Sequence, residues 1–458
     1  MTGAAEPLAT SDGLKRVIGF WGGTALIVGI TIGSGVFRKP YTLARDVQDP
    51  VVILALWTAF GVVSLCGALA LAELAAMLPR TGGVYVYLRA AYGDAAAFVV
   101  GWLYLLVSTP ATLGALSTFF AELLTGLLGI DARTRPAWVV PVVAGATIAV
   151  LSLANLLGAR LGSAIQGILT VIKVGAIVAM VLTIFLLAPG SFGHIAPSVG
   201  GAQNLGSGAA SVIWAYDGWV AVSMIAGEIV APEKKMKGII IAGMLIIVAL
   251  YLGANVAYFY AMPLDVMAQE VGGIPQRLMG DLLGPWARVG IGVAILCSVF
   301  GALNGNILSK PRVSYALSRD GLTFRFLGRP HPRWATPYAA IVIEALVALV
   351  LIAILRDFDA LTTYFVVVEW ASLLFAVGAV FVLRRRMPDA PRPFRTPAYP
   401  WVPLVFIVGT FLGLVAIVSG EIARPEPNYA PLFGLLIAVA GFPVYRIWRR
   451  LVPAEGDR

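Results

Sequence analysis

Gly33-Ser34-Gly35 lies near the middle of an apolar segment, 17–44, and places two glycines one residue apart inside it. Tyr216-Asp217-Gly218 interrupts a second apolar segment, 207–229, at a comparable position. Glycine disfavours the helix by about 1 kcal/mol relative to alanine, so the backbone is expected to leave the helix at both places. These two breaks decide how the other segments of the chain must be arranged.

The composition is that of a membrane protein. Of the 458 residues, 59% are hydrophobic and 12% are charged, whereas a soluble domain is roughly half apolar and about a quarter charged. This excludes a soluble globular protein and a disordered scaffold. The cysteines, Cys66 and Cys297, and the histidines, His194 and His331, form no disulfide, metal-ligand or catalytic pattern. We therefore expect neither an enzyme nor a bound cofactor or metal.

Twelve segments are apolar and long enough to cross a hydrocarbon core of about 30 Å, which takes about 20 helical residues. They are 17–44, 50–78, 94–124, 136–155, 161–188, 207–229, 238–262, 286–317, 337–355, 359–383, 401–420 and 429–450. No linker divides the chain. The sequence predicts an all-α membrane protein with a single domain, 15–458, that follows a cytoplasmic tail, 1–14.

Lysine and arginine are distributed unevenly between the two sets of loops. An even number of spans places both termini on one side, and that side carries 21 of these residues against seven on the other. Because cytoplasmic loops carry the excess of positive charge, both termini are predicted to be cytoplasmic, in a multi-pass protein of the inner membrane. The charges are spread over every inner loop near lipid headgroups, which disfavours nucleic-acid binding.

The spans that carry the two breaks, the first and the sixth, are five spans apart. This predicts an inverted repeat, about 17–188 and about 207–383, with two further helices at about 401–450. Glycine is also common where membrane helices pack closely, but matched breaks in both halves favour a binding site. Free N–H groups of one half-helix suit a carboxylate, and free carbonyls of the other suit an ammonium. An α-amino acid carries both a carboxylate and an ammonium, so it is the ligand that such a pair of half-helices predicts.

Three charged residues lie where lipid should exclude them. Lys173 is central in its span, and a lysine there costs about 2.5–3.5 kcal/mol, so we expect it to face the interior and to be functional. Glu369 and Asp217 are central in the tenth and sixth spans. Two carboxylates in a poorly solvated site would favour a shared proton, which permits proton coupling or recognition of a cationic side chain. Alternatively, Glu369 bonds a polar network and touches no ligand.

Trp214 and Trp219 flank the sixth-span break. Membrane tryptophans are often interfacial anchors, but the central position of these two favours a gate over the pocket. Four glutamates nearer the span ends are expected to pair with inner-loop or headgroup charges: Glu73, Glu122, Glu228 and Glu344.

Four stretches of the chain form a joint pattern. Ile32-Gly33-Ser34-Gly35-Val36-Phe37 resembles the Gly-Ser-Gly break of the amino acid–polyamine–organocation superfamily. Leu71-Ala72-Glu73-Leu74, followed by the run from Met77 to Tyr85, resembles the signature after its second helix. Ala215-Tyr216-Asp217-Gly218-Trp219 and Leu303-Asn304-Gly305 resemble helices of the L-amino acid transporter branch. The resemblance extends from about residue 15 to about residue 450.

The resemblance implies a LeuT-like fold and sodium-independent amino acid transport, often by exchange. By position, the amides of Ser34, Gly35 and Val36 would hold the substrate carboxylate, with Trp214 as an aromatic gate. Lys173 matches a fifth-helix lysine whose ammonium stands where sodium-coupled relatives bind a cation. The carbonyls that would hold the amine lie near Thr31, Trp214, Ala215 and Asp217. The complete set of expected substrate contacts is Thr31, Ile32, Ser34, Gly35, Val36, Trp214, Ala215, Asp217, Gly218 and Glu369.

The chain also departs from the family pattern. Relatives commonly have Gly-Gly in place of Asp217-Gly218 and a neutral residue in place of Glu369, which weakens the expectation of large neutral substrates. A proton-coupled or cationic amino acid or polyamine antiporter, which would use both carboxylates, is one alternative. A non-transporting amino-acid sensor is a second, although sensors usually add a cytoplasmic signalling domain. The outer loop 129–135 lacks the cysteine by which animal members join a single-pass subunit, so we expect no such partner.

Overall fold

The computed structural model describes residues 16–130, 133–270, 273–355, 358–423 and 429–451. The predicted tail, 1–14, lies outside these residues. Within them the chain is helical, and the only β-type contact is an isolated parallel bridge between Ile18 and Ile229. The all-α class predicted from the sequence is confirmed. Four basic residues used to predict the orientation also lie outside the described ranges: Lys15, Arg356, Arg424 and Arg458.

A helical segment coincides with each of the twelve predicted spans. In order, they are Phe20–Thr31 with Gly35–Asp46, Pro50–Met77, Asp94–Leu127, Val139–Leu156, Ala159–Leu187, Leu205–Tyr216 with Ala221–Met224, Pro232–Ala261, Pro285–Ser309 with Pro311–Arg319, Tyr338–Leu355, Phe358–Arg386, Trp401–Ile422 and Ala430–Leu451. Shorter helices in the connections are Val84–Tyr92, Leu264–Met267 and Ile274–Leu283. The side where the first span begins is called the terminal side below, and the opposite one is called the far side.

Several spans depart from a continuous α-helix of membrane-spanning length. Ten helices of the described chain are long and apolar enough to cross a membrane. The sixth span falls outside this group because it is broken, and the ninth because its described apolar helix is shorter. The third span is long but changes to π-helical hydrogen bonding over Tyr104–Ser108.

The broken spans lie at the centre of the bundle. The first half of the first span packs against the fifth, seventh and eighth spans, and its second half packs against the sixth. In the most apolar window of the first span 78% of the residues are buried inside the protein, against 11% in the twelfth. Protein groups, and not lipid, therefore surround the opened backbone.

Buried polar contacts close the bundle on the terminal side. The carboxylate of Glu228, at the end of the sixth span, lies 2.5 Å from Nε of Arg312 in the eighth. The backbone carbonyl of Glu228 accepts from the N–H of Ile18 at 3.0 Å. Nearby, burial raises the pKa of Tyr85, so its hydroxyl stays protonated and donates to Asp320 at 2.9 Å. The start of the first span is thus tied to the ends of the sixth and eighth.

The glutamates near the span ends have partners that agree only in part with those expected. Glu73 does pair with a residue of the basic run after the tenth span, Arg384, at 2.7 Å. Glu122 instead pairs at 3.3 Å with Arg38, which lies inside the first span, and the partner of Glu228 also lies inside a span. In the described chain Glu344 has no basic partner within ion-pair distance, and only one of its oxygens is hydrogen-bonded. The expectation of loop or headgroup partners is therefore wrong for Glu228 and Glu344.

Gly35 sits where the two broken spans touch. A Cβ atom on Gly35 would lie 2.5 Å from Cβ and 2.6 Å from Cα of Ala215. We expect Gly35→Ala to push the spans apart at a cost of about 1–3 kcal/mol. The unfolding temperature of the purified protein in detergent should fall by several degrees. In the matched control, Gly167→Ala, the new Cβ meets nothing within 4 Å, and equal unfolding temperatures of the two variants would contradict this packing.

Candidate functional site

The break in the first span leaves backbone donors unpaired. The helix ends at Thr31 and begins again at Gly35. Within the described residues, the N–H groups of Ser34, Gly35 and Val36 have no hydrogen-bond acceptor. They are the first amides of the second half-helix, where the positive end of the helix dipole adds to their attraction for negative charge.

The break in the sixth span faces the first. The helix ends at Tyr216, Asp217 is extended, and helical turns resume at Ala221. Gly218 has a φ of 115°, which L side chains rarely adopt. A Cβ atom on Gly218 would also lie 2.8 Å from a side-chain carbon of Ile30. Glycine is therefore required here both for the backbone conformation and for the close approach of the two spans.

A tyrosine from an unbroken span joins the two breaks. The hydroxyl of Tyr251, in the seventh span, lies 2.7 Å from the carbonyl oxygen of Thr31 and 2.9 Å from that of Ala215. Both carbonyls belong to the last turn of a half-helix, where helical partners run out. Sequence reasoning missed Tyr251, because a single tyrosine in an apolar span gives no local signal.

Lys173 lies in a cage of carbonyl oxygens. Its ammonium nitrogen is 2.7 Å from each of the carbonyl oxygens of Gly29, Ile32 and Ser298, and the side chain is fully buried. The hydroxyl of Ser298 also donates to the carbonyl of Ile32, at 2.9 Å. The fixed positive charge therefore satisfies the carbonyls that the first-span break exposes. Like Tyr251, Ser298 was not predicted from the sequence to be part of the site.

A small cavity of about 20 Å³ lies between the breaks. This is room for about one water molecule, so an amino acid could enter only if the site expanded. The spans around it come from both halves of the chain. The lining residues are Ile30, Thr31, Gly33, Ser34, Gly35, Thr112, Leu116, Trp214, Asp217 and Asn306.

The cavity brings together part of the predicted set. The expected contacts that line it are Thr31, Ser34, Gly35, Trp214 and Asp217. The remaining expected contacts do not line it: Ile32, Val36, Ala215, Gly218 and Glu369. Sequence reasoning missed three side chains of the third and eighth spans, because neither span is broken: Thr112, Leu116 and Asn306.

The two tryptophans of the sixth span play different roles. Trp214 donates from Nε1 to the hydroxyl oxygen of Ser34 at 3.1 Å and meets the ring of Phe365 edge-on at 5.4 Å. Trp219 instead packs edge-on against Phe406 of the eleventh span, at 6.1 Å. The prediction that Trp219 helps to gate the pocket is therefore wrong, because the turn at the break directs it to the opposite face.

A larger cavity of about 440 Å³ opens on the far side. Three side chains in contact separate it from the site: Trp214 meets the ring of Phe358 edge-on at 5.8 Å, and the guanidinium of Arg38 lies 5.2 Å from the same ring. Arg38 and Glu122, which form an ion pair, both line the larger cavity. We call this cavity the vestibule, and we call the side chains of Trp214, Phe358 and Arg38 the lid.

The two intramembrane carboxylates are in different surroundings. Asp217 lines the small cavity, and its Oδ1 is buried without a hydrogen-bond partner in the described chain. Glu369 accepts from the hydroxyls of Tyr104 and Ser108 at 2.6 and 2.5 Å and lies 3.9 Å from the ammonium of Lys310. The geometry of Glu369 matches the alternative in which it bonds a polar network, and Asp217 is the carboxylate that faces the cavity.

Comparisons with known proteins place these features in context. The model of the amino acid permease family matches residues 18–441. The chain is 31% identical to the serine/threonine exchanger SteT of Bacillus subtilis, over 95% of this chain and 97% of the relative. It is 30% identical to the human b(0,+)-type amino acid transporter 1, over 96% and 89%. The human cystine/glutamate transporter is 27% identical, over 95% and 85%.

The carbonyl cage around Lys173 predicts a specific response to sodium. Lys173→Ala leaves buried carbonyls without a donor, at about 1–3 kcal/mol for each, and leaves space that a small cation can fill. The unfolding temperature of Lys173→Ala should fall in choline chloride and recover in part in sodium chloride. The methionine of Lys173→Met fills the space, so its unfolding temperature should fall equally in both salts. The unfolding temperature of the control Lys234→Ala, at an exposed position, should equal that of the wild type. A Lys173→Ala variant that is as stable as the wild type in choline chloride would contradict the assignment.

Proposed function

The chain belongs to the amino acid permease family, and we propose that it exchanges L-amino acids across the membrane by alternating access, without sodium. Because the family and its relatives are transporters, the chain is a multi-pass amino acid transporter and not an enzyme. One observation carries the proposal for the site. It is the set of unpaired amides at Ser34, Gly35 and Val36 beside a cavity inside the membrane.

These amides suit the carboxylate of an amino acid. The start of a helix binds anions because its donors and its dipole act together. Hydrogen bonds to an ionised carboxylate are roughly twice as strong as neutral ones, which offsets part of the cost of removing the carboxylate from water. The donors belong to the backbone and meet a group that all amino acids share. The contact therefore recognises the class of substrate and not its side chain.

The ammonium of the substrate suits the other side of the breaks. The single hydroxyl proton of Tyr251 is shared between the carbonyl oxygens of Thr31 and Ala215, so both oxygens keep lone pairs that can accept from an ammonium. The carboxylate of Asp217, which lines the cavity, adds negative charge. Both charged groups of a zwitterion thus find partners around one cavity.

The cavity wall favours small polar side chains. Thr112 and Asn306 lie on the spans that face the breaks, and both can hydrogen-bond a hydroxyl or an amide. The name of the bacterial relative, a serine/threonine exchanger, agrees with this wall. The alternative of a cationic substrate is less well supported, because Glu369 is occupied by Tyr104 and Lys310, and only Asp217 faces the cavity.

The position of Lys173 supports the proposal of sodium independence. Broken-helix transporters that use sodium bind it with unwound carbonyls. Here the ammonium of Lys173 lies 2.7 Å from the carbonyl oxygens of Gly29 and Ile32, at the first-span break, and from that of Ser298 in the eighth span. We propose that Lys173 replaces the coupling cation and keeps the break open without an ion.

The two closures of the bundle suit alternating access. The lid lies between the cavity and the vestibule, and the Glu228–Arg312 ion pair lies on the terminal side. We propose that they open in turn, with Trp214 as the part of the lid that touches substrate. A lid made of ring contacts and a half-exposed ion pair can be broken at low cost.

We propose that the terminal side faces the cytoplasm and that the membrane is the inner one. The excess of lysine and arginine in the loops of that side supports this orientation. We also propose that the chain works without a disulfide-linked subunit. Its cysteines, Cys66 and Cys297, lie within the second and eighth spans, away from the loops where such a bond would form.

Substitutions of Ser34 test the role of the amides. Proline at position 34 fits its φ of −82° but removes the N–H, whereas Ser34→Ala keeps the N–H and loses only the hydroxyl. In proteoliposomes loaded with unlabelled L-serine, Ser34→Pro should lower the uptake of labelled L-serine by about 100-fold, or about 2.7 kcal/mol. Ser34→Ala should lower it by about tenfold or less.

Uptake by the wild type should depend on internal amino acid and should be equal in sodium and choline chloride. Equal activity of Ser34→Pro and Ser34→Ala would remove the amides from the site. Uptake that requires sodium would contradict the role assigned to Lys173.

A further inference from the structure

A row of polar residues runs from the cavity toward the terminal side. Polar side chains recur at four-residue spacing along the third and eighth spans, and hydrogen bonds join the two rows. Two glutamates from the ninth and tenth spans complete the group. We call it the polar seam, and its members are Tyr104, Ser108, Thr112, Asn306, Lys310, Ser314, Glu344 and Glu369.

Glu369 is surrounded as an ionised carboxylate. One oxygen accepts from the hydroxyl of Tyr104 and the other from that of Ser108. The ammonium of Lys310 lies 3.9 Å away and donates to Ser108 and Thr112, at 3.2 Å each. Both oxygens have a donor, and a positive charge stands close by. Burial of a charge is tolerated under these conditions.

Glu344 has the opposite surroundings. It is fully buried, and a single donor, the hydroxyl of Ser314 at 2.6 Å, reaches one of its oxygens. In the described chain its second oxygen, Oε2, has no partner. A neutral carboxylic acid fits this environment, and an ionised one does not.

Lys310 lies one helical turn before Ser314, whose hydroxyl donates to Glu344. The segments packed against the ninth span are the third and fourth spans, the second segment of the eighth, and the turn at Arg325–Gly328. The other titratable residues of these segments either bond to other side chains, are exposed, or lie on a helix face that does not contain Ser314. They are Tyr104, Glu122, Arg312, Tyr315, Arg319 and Arg325. The fourth span has none.

Three carboxylates have one cation, Lys310, near them. Its ammonium lies 3.9 Å from Glu369 and donates to Thr112, which lines the cavity together with Asp217. Ser314, which donates to Glu344, follows Lys310 by one helical turn. Three negative charges and one positive charge in a buried region leave an excess that protons must neutralise. Any change at Asp217 alters how strongly Lys310 stabilises the other two. The cavity and Glu344 are thus coupled through a shared cation.

We propose that Glu344 carries a proton while the cavity is empty and releases it when an amino acid binds. The ammonium of the substrate pairs with the carboxylate of Asp217, so the positive charge of Lys310 becomes available to stabilise an ionised Glu344. The O–H bond at Oε2 breaks, H⁺ leaves, and the charge of Glu344 changes from zero to −1. This inference rests on the proposed function and adds proton linkage to it.

Isothermal titration of the purified full-length protein with L-serine tests the inference. The heat of binding is measured in phosphate and in Tris, whose ionisation enthalpies differ, and the difference gives the number of protons released. We expect a release of up to one proton per L-serine in the wild type. Equal heats in the two buffers would overturn the proton proposal and leave amino acid binding intact.

Variants locate the proton. Glu344→Gln resembles the protonated acid in shape, so it should fold and bind L-serine, and its proton release should fall by about fivefold or more. Asp281→Asn, which removes an exposed carboxylate of the far side, should release as many protons as the wild type. Undiminished release from Glu344→Gln would overturn the assignment to this residue. Absence of binding heat with each of the twenty amino acids would instead overturn the proposed function.

Discussion

The fold depends on the need of every peptide group inside a membrane for a hydrogen-bond partner. A helix satisfies its own groups, and each break releases several of them where lipid supplies none. The first and sixth spans each contain a break, so both must lie inside the protein, with unbroken spans around them. The same requirement that centres the breaks leaves the amides of Ser34, Gly35 and Val36 available to a ligand.

The unbroken spans supply the groups that hold the breaks open. Tyr251 joins a carbonyl of each break, and Lys173 with Ser298 satisfies the carbonyls at the end of the first half-helix. These contacts leave the amides of the second half-helix free, so the break is stabilised on its carbonyl side and open on its amide side. A site built in this way recognises the charged groups of an amino acid and leaves selectivity to the cavity wall, where Thr112 contributes.

The features predicted from the sequence are those that violate membrane hydropathy at a single position. The glycines of the two breaks and the central position of Lys173 are visible in the sequence, and they locate the breaks and the cavity. Tyr251 and the Lys310–Glu369 pair were not predicted, because each depends on spans far apart in sequence meeting side by side. Trp219 was wrongly assigned, because the positive φ at Gly218 turns the chain so that neighbouring residues face different spans.

A cryo-electron microscopy structure of the protein with bound L-serine tests the central claim most directly. The account predicts that the substrate carboxylate lies within about 3.2 Å of the amide nitrogens of Ser34, Gly35 and Val36, a hydrogen-bond distance. A carboxylate held instead by side chains, with these amides unoccupied or rewound into continuous helix, would contradict it.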